Sequence, residues 1–112
     1  MSACLKKNFT LLQALVSATA KTRRAIIATS PNQLILAISE CVDNLLKGNI
    51  ELKPQEQSRL RKYRLLLRKI ASKKVKNEKK RATLIQHGGA LPLLLIPVLT
   101  AVASIIGEVI RR

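Results

Sequence analysis

The residues of this sequence with the clearest chemical potential are its cations. Between Lys53 and Arg81, thirteen lysine and arginine residues stand against two acids, a net charge of +11 in a 112-residue chain whose total is +15. A cation that pairs with a phosphate releases condensed counterions, so this segment is suited to binding a polyanion. The residues predicted to bind nucleic acid or another anion are Arg59, Arg61, Lys62, Arg64, Arg68, Lys69, Lys73, Lys74, Lys76, Lys79, Lys80 and Arg81.

The residues that enzymes use for catalysis are scarce. His87 is the only histidine and lies beside two glycines. Glu40 and Asp43 are three residues apart, and they are better explained as partners of nearby cations than as an acid and base pair. Cys4 and Cys41 lack the paired spacing of a zinc site, and we interpret both as reduced thiols of an intracellular protein. We therefore predict a non-enzymatic protein with no catalytic residues, metal or cofactor.

A helix is expected to position the cations. Leu60, Tyr63, Leu67 and Ile70 recur at steps of three and four, which gives one apolar stripe and leaves the cations on the other faces. Tyr63 lies on this stripe, so we predict that it belongs to the core rather than to a base-stacking platform.

The length of this basic helix is left open by the sequence. No Gly or Pro follows Pro54 until residue 88, so one long helix to about Ile85 is expected, with a break near Ser72 as the alternative. After Lys73 the apolar support falls away, and this half is predicted to be solvated and frayed unless an anion binds it. Its alternative interpretation is a solvated linker.

Two helices are predicted before residue 30. The first, from Ala3 to about Ala18, has an apolar face that contains Leu5, Phe9, Leu12 and Val16. The second, from Lys21 to Thr29, is expected to bury Ala25, Ile26 and Ile27 and to expose Arg23 and Arg24.

The third helix is the best candidate for a buried central helix. Ser30 is predicted to cap it and Pro31 to occupy its first position. It runs to about Lys47 with an apolar face of Leu34, Ile38, Cys41 and Leu45. Gly48 ends it in the left-handed conformation.

A segment without charge follows the basic one. Gly88 and Gly89 are predicted to form a hinge. Residues 90 to 107 then carry no charge and would span about 27 Å as a helix, close to the roughly 30 Å hydrocarbon core of a bilayer. Three interpretations are open: a spanning helix, a membrane-inserting hairpin or interfacial helix, and a buried helix of an oligomer. The predicted membrane-interacting residues are Leu91, Leu93, Leu94, Leu95, Ile96, Val98, Leu99, Val102, Ile105 and Ile106.

The remaining interpretation of this segment, a core helix of a 112-residue monomer, is disfavoured. A helix that is apolar nearly all round needs surrounding protein, and so short a chain offers little.

These features give a fold class and three segments. Apolar residues make up 47% of the chain but only Phe9 and Tyr63 are aromatic, which favours helices packed through Leu, Ile, Val and Ala. We predict an all-α protein, a small helical bundle with a long basic helix, a Gly-Gly hinge and an apolar C-terminal helix. The expected segments are residues 1–52, a three-helix unit; 53–87, the basic helix; and 88–112, the hinge and apolar segment.

A family resemblance rests on residues 30 to 107. The pattern comprises Cys41 on a helix, Leu45 to Ile50 at its end, the Arg-rich helix from Arg61 to Lys69, the lysine cluster from Lys73 to Arg81, and the Gly-Gly-x-Leu-Pro element within Gln86 to Leu99. In these features the chain resembles the short basic proteins of Polinton (Maverick) elements and of adintovirus-like DNA viruses.

The resemblance implies a minor virion or core protein. Such a protein would package or coat double-stranded DNA, with RNA as an alternative, or help the particle to cross a membrane. Its other expected partners are a membrane or other virion subunits at the C-terminal segment, and further copies of itself. The expected location is the virion and host nucleus, or a host membrane. A small membrane protein whose basic residues bind anionic lipid is the alternative function.

Overall fold

The computed structural model describes residues 3–87 and 94–103, and within them it confirms the all-α prediction. The first predicted helix is divided at Asn8 into α1 (Ala3–Lys7) and α2 (Phe9–Ser17), and the second is observed as α3 (Ala20–Thr29). The central helix is α4 (Asn32–Leu46), and the basic segment forms α5 (Pro54–Lys62), α6 (Arg64–Ala71) and α7 (Asn77–Gln86). A short apolar helix, α8 (Leu94–Ala103), is the last described element.

Helix α4 is central, as predicted. Leu34, Ile38 and Cys41 are completely buried, and the helix contacts α1, α2, α6 and α7. Lys47 ends it, and Gly48 follows with a φ of +75°, the left-handed conformation predicted for this glycine.

The start of α4 differs from the prediction by one residue. Pro31 is the N-cap and Asn32 the first helical residue. Ser30 instead ends α3, where its hydroxyl donates to the carbonyl of Ile27. The predicted capping role of Ser30 is therefore wrong, because the hydroxyl serves the preceding helix.

The prediction that Arg23 is exposed is also wrong. Its side chain is 6% exposed. Nε donates to the carbonyl of Leu15 at 3.0 Å and Nη2 to that of Ala18 at 2.6 Å. These carbonyls lie at the C-terminal end of α2, where helices leave acceptors without intrahelical donors, so the guanidinium closes that end. Arg24 is exposed, and Ala25 is exposed rather than buried.

The basic segment is divided into three helices, so the prediction of a single long helix is wrong. The alternative prediction, a break near Ser72, is confirmed. Helix α6 ends at Ala71, and the hydroxyl of Ser72 accepts a hydrogen bond from the backbone N–H of Lys74 at 3.2 Å. The chain then turns, so that α7 packs against α3, α4 and α6. The expectation that the half after Lys73 is frayed is wrong as well, because Lys80, Thr83 and Leu84 anchor α7 in the interior, whereas Lys73, Lys74, Lys76 and Lys79 are solvated as expected.

Helix α8 packs in the core of the folded chain. This is the interpretation of the apolar segment that the sequence disfavoured. Six side chains of α8 are buried, including Pro97, and five of them join the same hydrophobic core as the other helices: Leu94, Leu95, Val98, Leu99 and Val102. A surface groove lies between α8 and α2, lined by Val16, Leu99 and Thr100 among others. The core thus contains residues from the N-terminal helices, the basic segment and α8.

Candidate nucleic-acid interface

Five cations cover the exposed side of α5 and α6. Arg61, Lys62, Arg64, Arg68 and Lys69 are all exposed, and we call them the basic face. Each was predicted from the sequence as an anion-binding residue, and the structure brings all five to the surface of two consecutive helices.

The apolar stripe predicted from the sequence explains this orientation. Leu67 and Ile70 are buried at 0% and 2% exposure, and Leu60 and Tyr63 pack against the core. With these positions held inward, the residues between them must point outward, because i and i+3 or i+4 share a helix face. Tyr63 therefore belongs to the stripe, as predicted.

The two helices that carry the face are separated by an irregularity at Tyr63. Tyr63 departs from helical geometry with φ −104° and ψ 15°. Even so, its N–H donates to the carbonyl of Arg59 at 3.1 Å, and its carbonyl accepts from the N–H of Leu67 at 2.9 Å. Each of these hydrogen bonds joins Tyr63 to one of the two helices, so Tyr63 is both the C-cap of α5 and the N-cap of α6. The ammonium of Lys62 lies 5.5 Å from the centre of the Tyr63 ring, a cation–π contact.

No carboxylate neutralises the basic face within the described chain. The sequence from Arg59 to Asn77 contains no acid. Glu56 accepts a hydrogen bond from the backbone N–H of Lys53 at 2.8 Å. In the described ranges the ion pair observed is Asp43 with Lys47, at 2.8 Å on α4. The five charges therefore remain available to an external anion.

Further lysines continue the positive surface beyond α6. Lys73, Lys74 and Lys76 are exposed in the turn between α6 and α7, and Lys79 is exposed on the first turn of α7. We call these four residues the lysine turn. Arg59, at the other end, is only partly exposed.

Lys80 lies inside the protein, although it was predicted to bind an anion. It is 4% exposed, and its ammonium donates to the hydroxyl of Ser39 at 3.3 Å. Burial lowers the pKa of Lys80, because a low-dielectric environment disfavours the charged form. The side chain lines a groove of about 830 Å³ that Glu40, Lys73 and Lys76 also border.

Arg81 is likewise engaged by the protein. Its Nη1 donates to the carbonyl of Ile27 and, at 3.2 Å, to the hydroxyl of Ser30. Its Nη2 donates to Oδ1 of Asn32 at 2.8 Å. The guanidinium thus closes the C-terminal end of α3 and joins α7 to the α3–α4 corner, so Arg81 is part of the fold rather than of the exposed surface.

Sequence reasoning overlooked Leu65. This side chain is 81% exposed and lies in the middle of the basic face. A signal was available, because Leu65 is out of phase with the stripe through Leu60, Leu67 and Ile70. An apolar residue out of phase with the buried stripe of its helix must point outward.

The predicted membrane-interacting residues divide into three groups. Leu94, Leu95, Val98, Leu99 and Val102 are buried, whereas Ile96 is 44% exposed. Leu91, Leu93, Ile105 and Ile106, and the predicted hinge at Gly88 and Gly89, lie outside the described residues. In the described ranges no single helix has the length and apolar character needed to cross a bilayer; only α3 and α4 taken together, bent by 117°, do.

Histidine, cysteine and acidic residues are the side chains that could hold a metal ion. In the part of the chain that the structure describes, no group of three His, Cys, Asp or Glu residues is placed to hold a metal ion. Burial, with a smaller contribution from the charge of Glu40, raises the pKa of the Cys41 thiol to about 12, so this thiol stays protonated.

The fold and surface define a class, a small all-α protein with one strongly cationic face. Comparison of the chain with family models, with curated proteins and with solved structures finds no match.

Proposed function

We propose that this protein binds nucleic acid without sequence specificity, through the basic face and the lysine turn. The observation that carries the proposal is the exposure of Arg61, Lys62, Arg64, Arg68 and Lys69 on two consecutive helices, with no acid in the sequence from Arg59 to Asn77. The interaction requires no catalysis and no cofactor.

The shape of the site supports a long polyanion. The basic face lies on two consecutive helices, and the lysine turn extends it to the start of α7. A chain of phosphates can engage several of these cations at once, and each contact releases counterions from the nucleic acid. Phosphate contacts position a protein on a duplex but carry no sequence information, which is why we propose binding that is independent of sequence.

The biological setting that we propose is a minor virion or core protein that coats DNA. Its support is the resemblance to Polinton and adintovirus-like proteins, together with a surface suited to covering phosphates. The described apolar segment forms part of the core, so this proposal rests on the cationic surface and not on insertion of that segment into a membrane.

The salt dependence of binding tests the proposal. If five of the nine cations of the basic face and the lysine turn, Arg64 and Arg68 among them, each contact one phosphate of a B-form duplex, log K falls with log salt with a slope of about −4.5. A fourfold rise in salt then weakens binding about 500-fold. The measurement is fluorescence anisotropy of labelled 20-base-pair duplexes of unrelated sequences, which we expect to bind alike.

Paired charge substitutions locate the site. Arg64→Gln with Arg68→Gln should reduce the slope to about −2.7, so the same rise in salt costs about 40-fold. The matched control is Lys21→Gln with Arg24→Gln, which removes the same charge from exposed positions on α3. Equal slopes for the two double variants, or a wild-type slope near zero, would overturn the proposal.

A further inference from the structure

The groove beside α4 combines a buried cation with exposed ones. Its volume of about 830 Å³ lies within the range of small-molecule sites. One wall is a face of α4, on which the lining residues recur at steps of three and four from Leu36 to Lys47, over roughly 16 Å. The other wall is formed by the turn from Lys73 to Lys76 and by the start of α7.

The charges that border the groove are mostly positive. Four lysines and two acids line it, an excess of two positive charges: Lys47, Lys73, Lys76, Lys80, Glu40 and Asp43. Lys47 pairs with Asp43 at 2.8 Å. Among the described lining residues, the other three lysines are opposed by Glu40 alone, so the groove as a whole attracts an anion.

Lys80 is the buried cation of the groove. It is 4% exposed, and its ammonium, which has three donors, uses one of them on the Ser39 hydroxyl at 3.3 Å. The ion pair observed among the described residues, Asp43 with Lys47, does not include it. Such an ammonium opposes folding, and burial accordingly lowers the pKa of Lys80. An anion in the groove would supply a counter-charge and acceptors for the remaining donors.

The first turn of α7 adds donors from the backbone. Asn77, its first helical residue, lines the groove next to Lys76, the N-cap. The first N–H groups of a helix lack intrahelical acceptors, and together with the helix dipole they favour an anion. Lys80 is three residues after Asn77 and therefore shares its face of the helix.

From this arrangement we propose that the groove binds a phosphate monoester, with Lys76, Lys80 and the start of α7 around the phosphate. A phosphate monoester has a charge of about −1.5 to −2 at neutral pH and three acceptor oxygens, which matches the excess charge of the groove. A diester phosphate of a nucleic-acid backbone has only one charge. The inference goes beyond the proposed function and does not depend on it.

The apolar part of the groove suits the remainder of a nucleotide. Leu36 is 47% exposed and Val75 is half-buried, and both line the groove. A base that covers them would remove apolar surface from water. We therefore expect the phosphate to belong to a free mononucleotide or to the 5′-terminal nucleotide of a DNA strand, which present the same phosphate chemistry.

Calorimetric titration of the full-length protein at fixed ionic strength tests the site. The probes are adenosine 5′-monophosphate, the 3′,5′-cyclic diester and adenosine, which have the same base and differ in the phosphate. The monophosphate should bind at least about 10-fold more tightly than the cyclic diester, because it brings a second charge and a further acceptor to the lysines.

Lys80→Met and Lys79→Met are a matched pair of variants. The two lysines are adjacent on α7 and lose the same charge, but Lys79 is exposed and borders a different groove, with Lys74 and Glu78. Lys80→Met should weaken binding of the monophosphate about 10- to 100-fold, through loss of a charge-assisted hydrogen bond, and should remove the rise in Tm that the monophosphate causes. Lys79→Met should change the affinity less than about 2-fold. Circular dichroism checks that both variants are folded.

Duplexes with 5′-phosphate or 5′-hydroxyl ends identify the source of the phosphate. A preference for phosphorylated ends that Lys80→Met removes supports the inference and assigns the groove to DNA termini. Tight binding of the monophosphate without such a preference also supports it and assigns the groove to a free nucleotide.

Equal affinities for the monophosphate and the cyclic diester, or equal losses in the two variants, would mean attraction to surface cations only and would overturn the inference. Absence of Lys80-dependent binding of both the monophosphate and the phosphorylated ends overturns it as well. The salt slope of duplex binding and its dependence on Arg64 and Arg68 are measured separately. Failure of the inference therefore leaves the proposed function standing, and a slope near zero removes the proposed function without affecting the groove.

Discussion

Replacement of Arg81 by methionine tests whether this cation belongs to the fold or to the binding surface. The variant keeps an apolar stem of similar length but loses the hydrogen bonds to Ile27, Ser30 and Asn32. The carbonyl of Ile27 is the costliest of these acceptors to lose a charged donor, because this residue is completely buried, although the carbonyl keeps the hydrogen bond from the Ser30 hydroxyl. Asn32 is exposed, so water can replace its lost donor.

The magnitude follows from these environments. Loss of a charged donor from a buried carbonyl costs about 1.5–2 kcal/mol, the partly buried Ser30 hydroxyl adds about 0.5–1 kcal/mol, and the Asn32 contact adds little. The free energy of unfolding should therefore fall by about 2–3 kcal/mol, which lowers Tm by roughly 10 °C for a domain of this size. Urea unfolding followed by circular dichroism at 222 nm measures the change.

Lys79→Met is the matched control for Arg81→Met. Lys79 is exposed on the same helix, and its replacement removes the same charge, so the free energy of unfolding should change by less than about 0.5 kcal/mol. Equal losses for the two variants would refute the reasoning. Below its melting temperature, Arg81→Met should also keep the wild-type salt slope for DNA binding, whereas a reduced slope would show that Arg81 contacts phosphate.

Three further predictions concern single residues. Burial lowers the pKa of Lys80 from 10.5, so the cost of its buried charge is fully present at neutral pH and disappears as the pH rises through the folded pKa towards 10.5. Lys80→Met should therefore raise the free energy of unfolding by about 1 kcal/mol at pH 7, and denaturation between pH 7 and 10.5 should show this gain shrinking. Gly48→Ala should cost about 1 kcal/mol in urea denaturation, because the φ of +75° strains an L residue even though no atom lies within 4 Å of the added Cβ, and Gly48→Asn should cost less. In native protein at pH 8 a thiol reagent should modify the partly exposed Cys4 but not Cys41 until denaturant is added, and rapid labelling of both would contradict the burial of Cys41.

The N-terminal half of the fold could be predicted because its signals are local. The apolar period of α4 and the glycine after it determine a buried helix and its end within eighteen residues of sequence. The period through Leu60, Leu67 and Ile70 likewise predicts which side of α6 is buried, and hence which cations form the basic face.

The division of the basic segment could not be predicted from local signals. No Gly or Pro separates α6 from α7, and helix propensity alone permits one long rod. The turn after Ser72 brings Thr83 and Leu84 into contact with the interior formed by α3 and α4. That contact joins residues far apart in sequence, which a local pattern does not contain.

Which cations belong to the fold and which to the surface also depends on contacts between residues far apart in sequence, so it could not be predicted either. Arg23 and Arg81 donate to carbonyls at the ends of helices α2 and α3. These partners become neighbours only when the helices pack, so a count of positive charges assigns all of them to the surface. The burial of α8 was missed for the same reason, since the core that it joins is formed by helices from earlier parts of the chain.

The position of α8 in the chain has a consequence for synthesis. Ribosomes release a polypeptide from its N-terminus onward, so α1 to α7 emerge before Leu95 and Val98 are available to complete the interior. During that interval the apolar surface that α8 will cover stays exposed, a state in which chains are prone to aggregate.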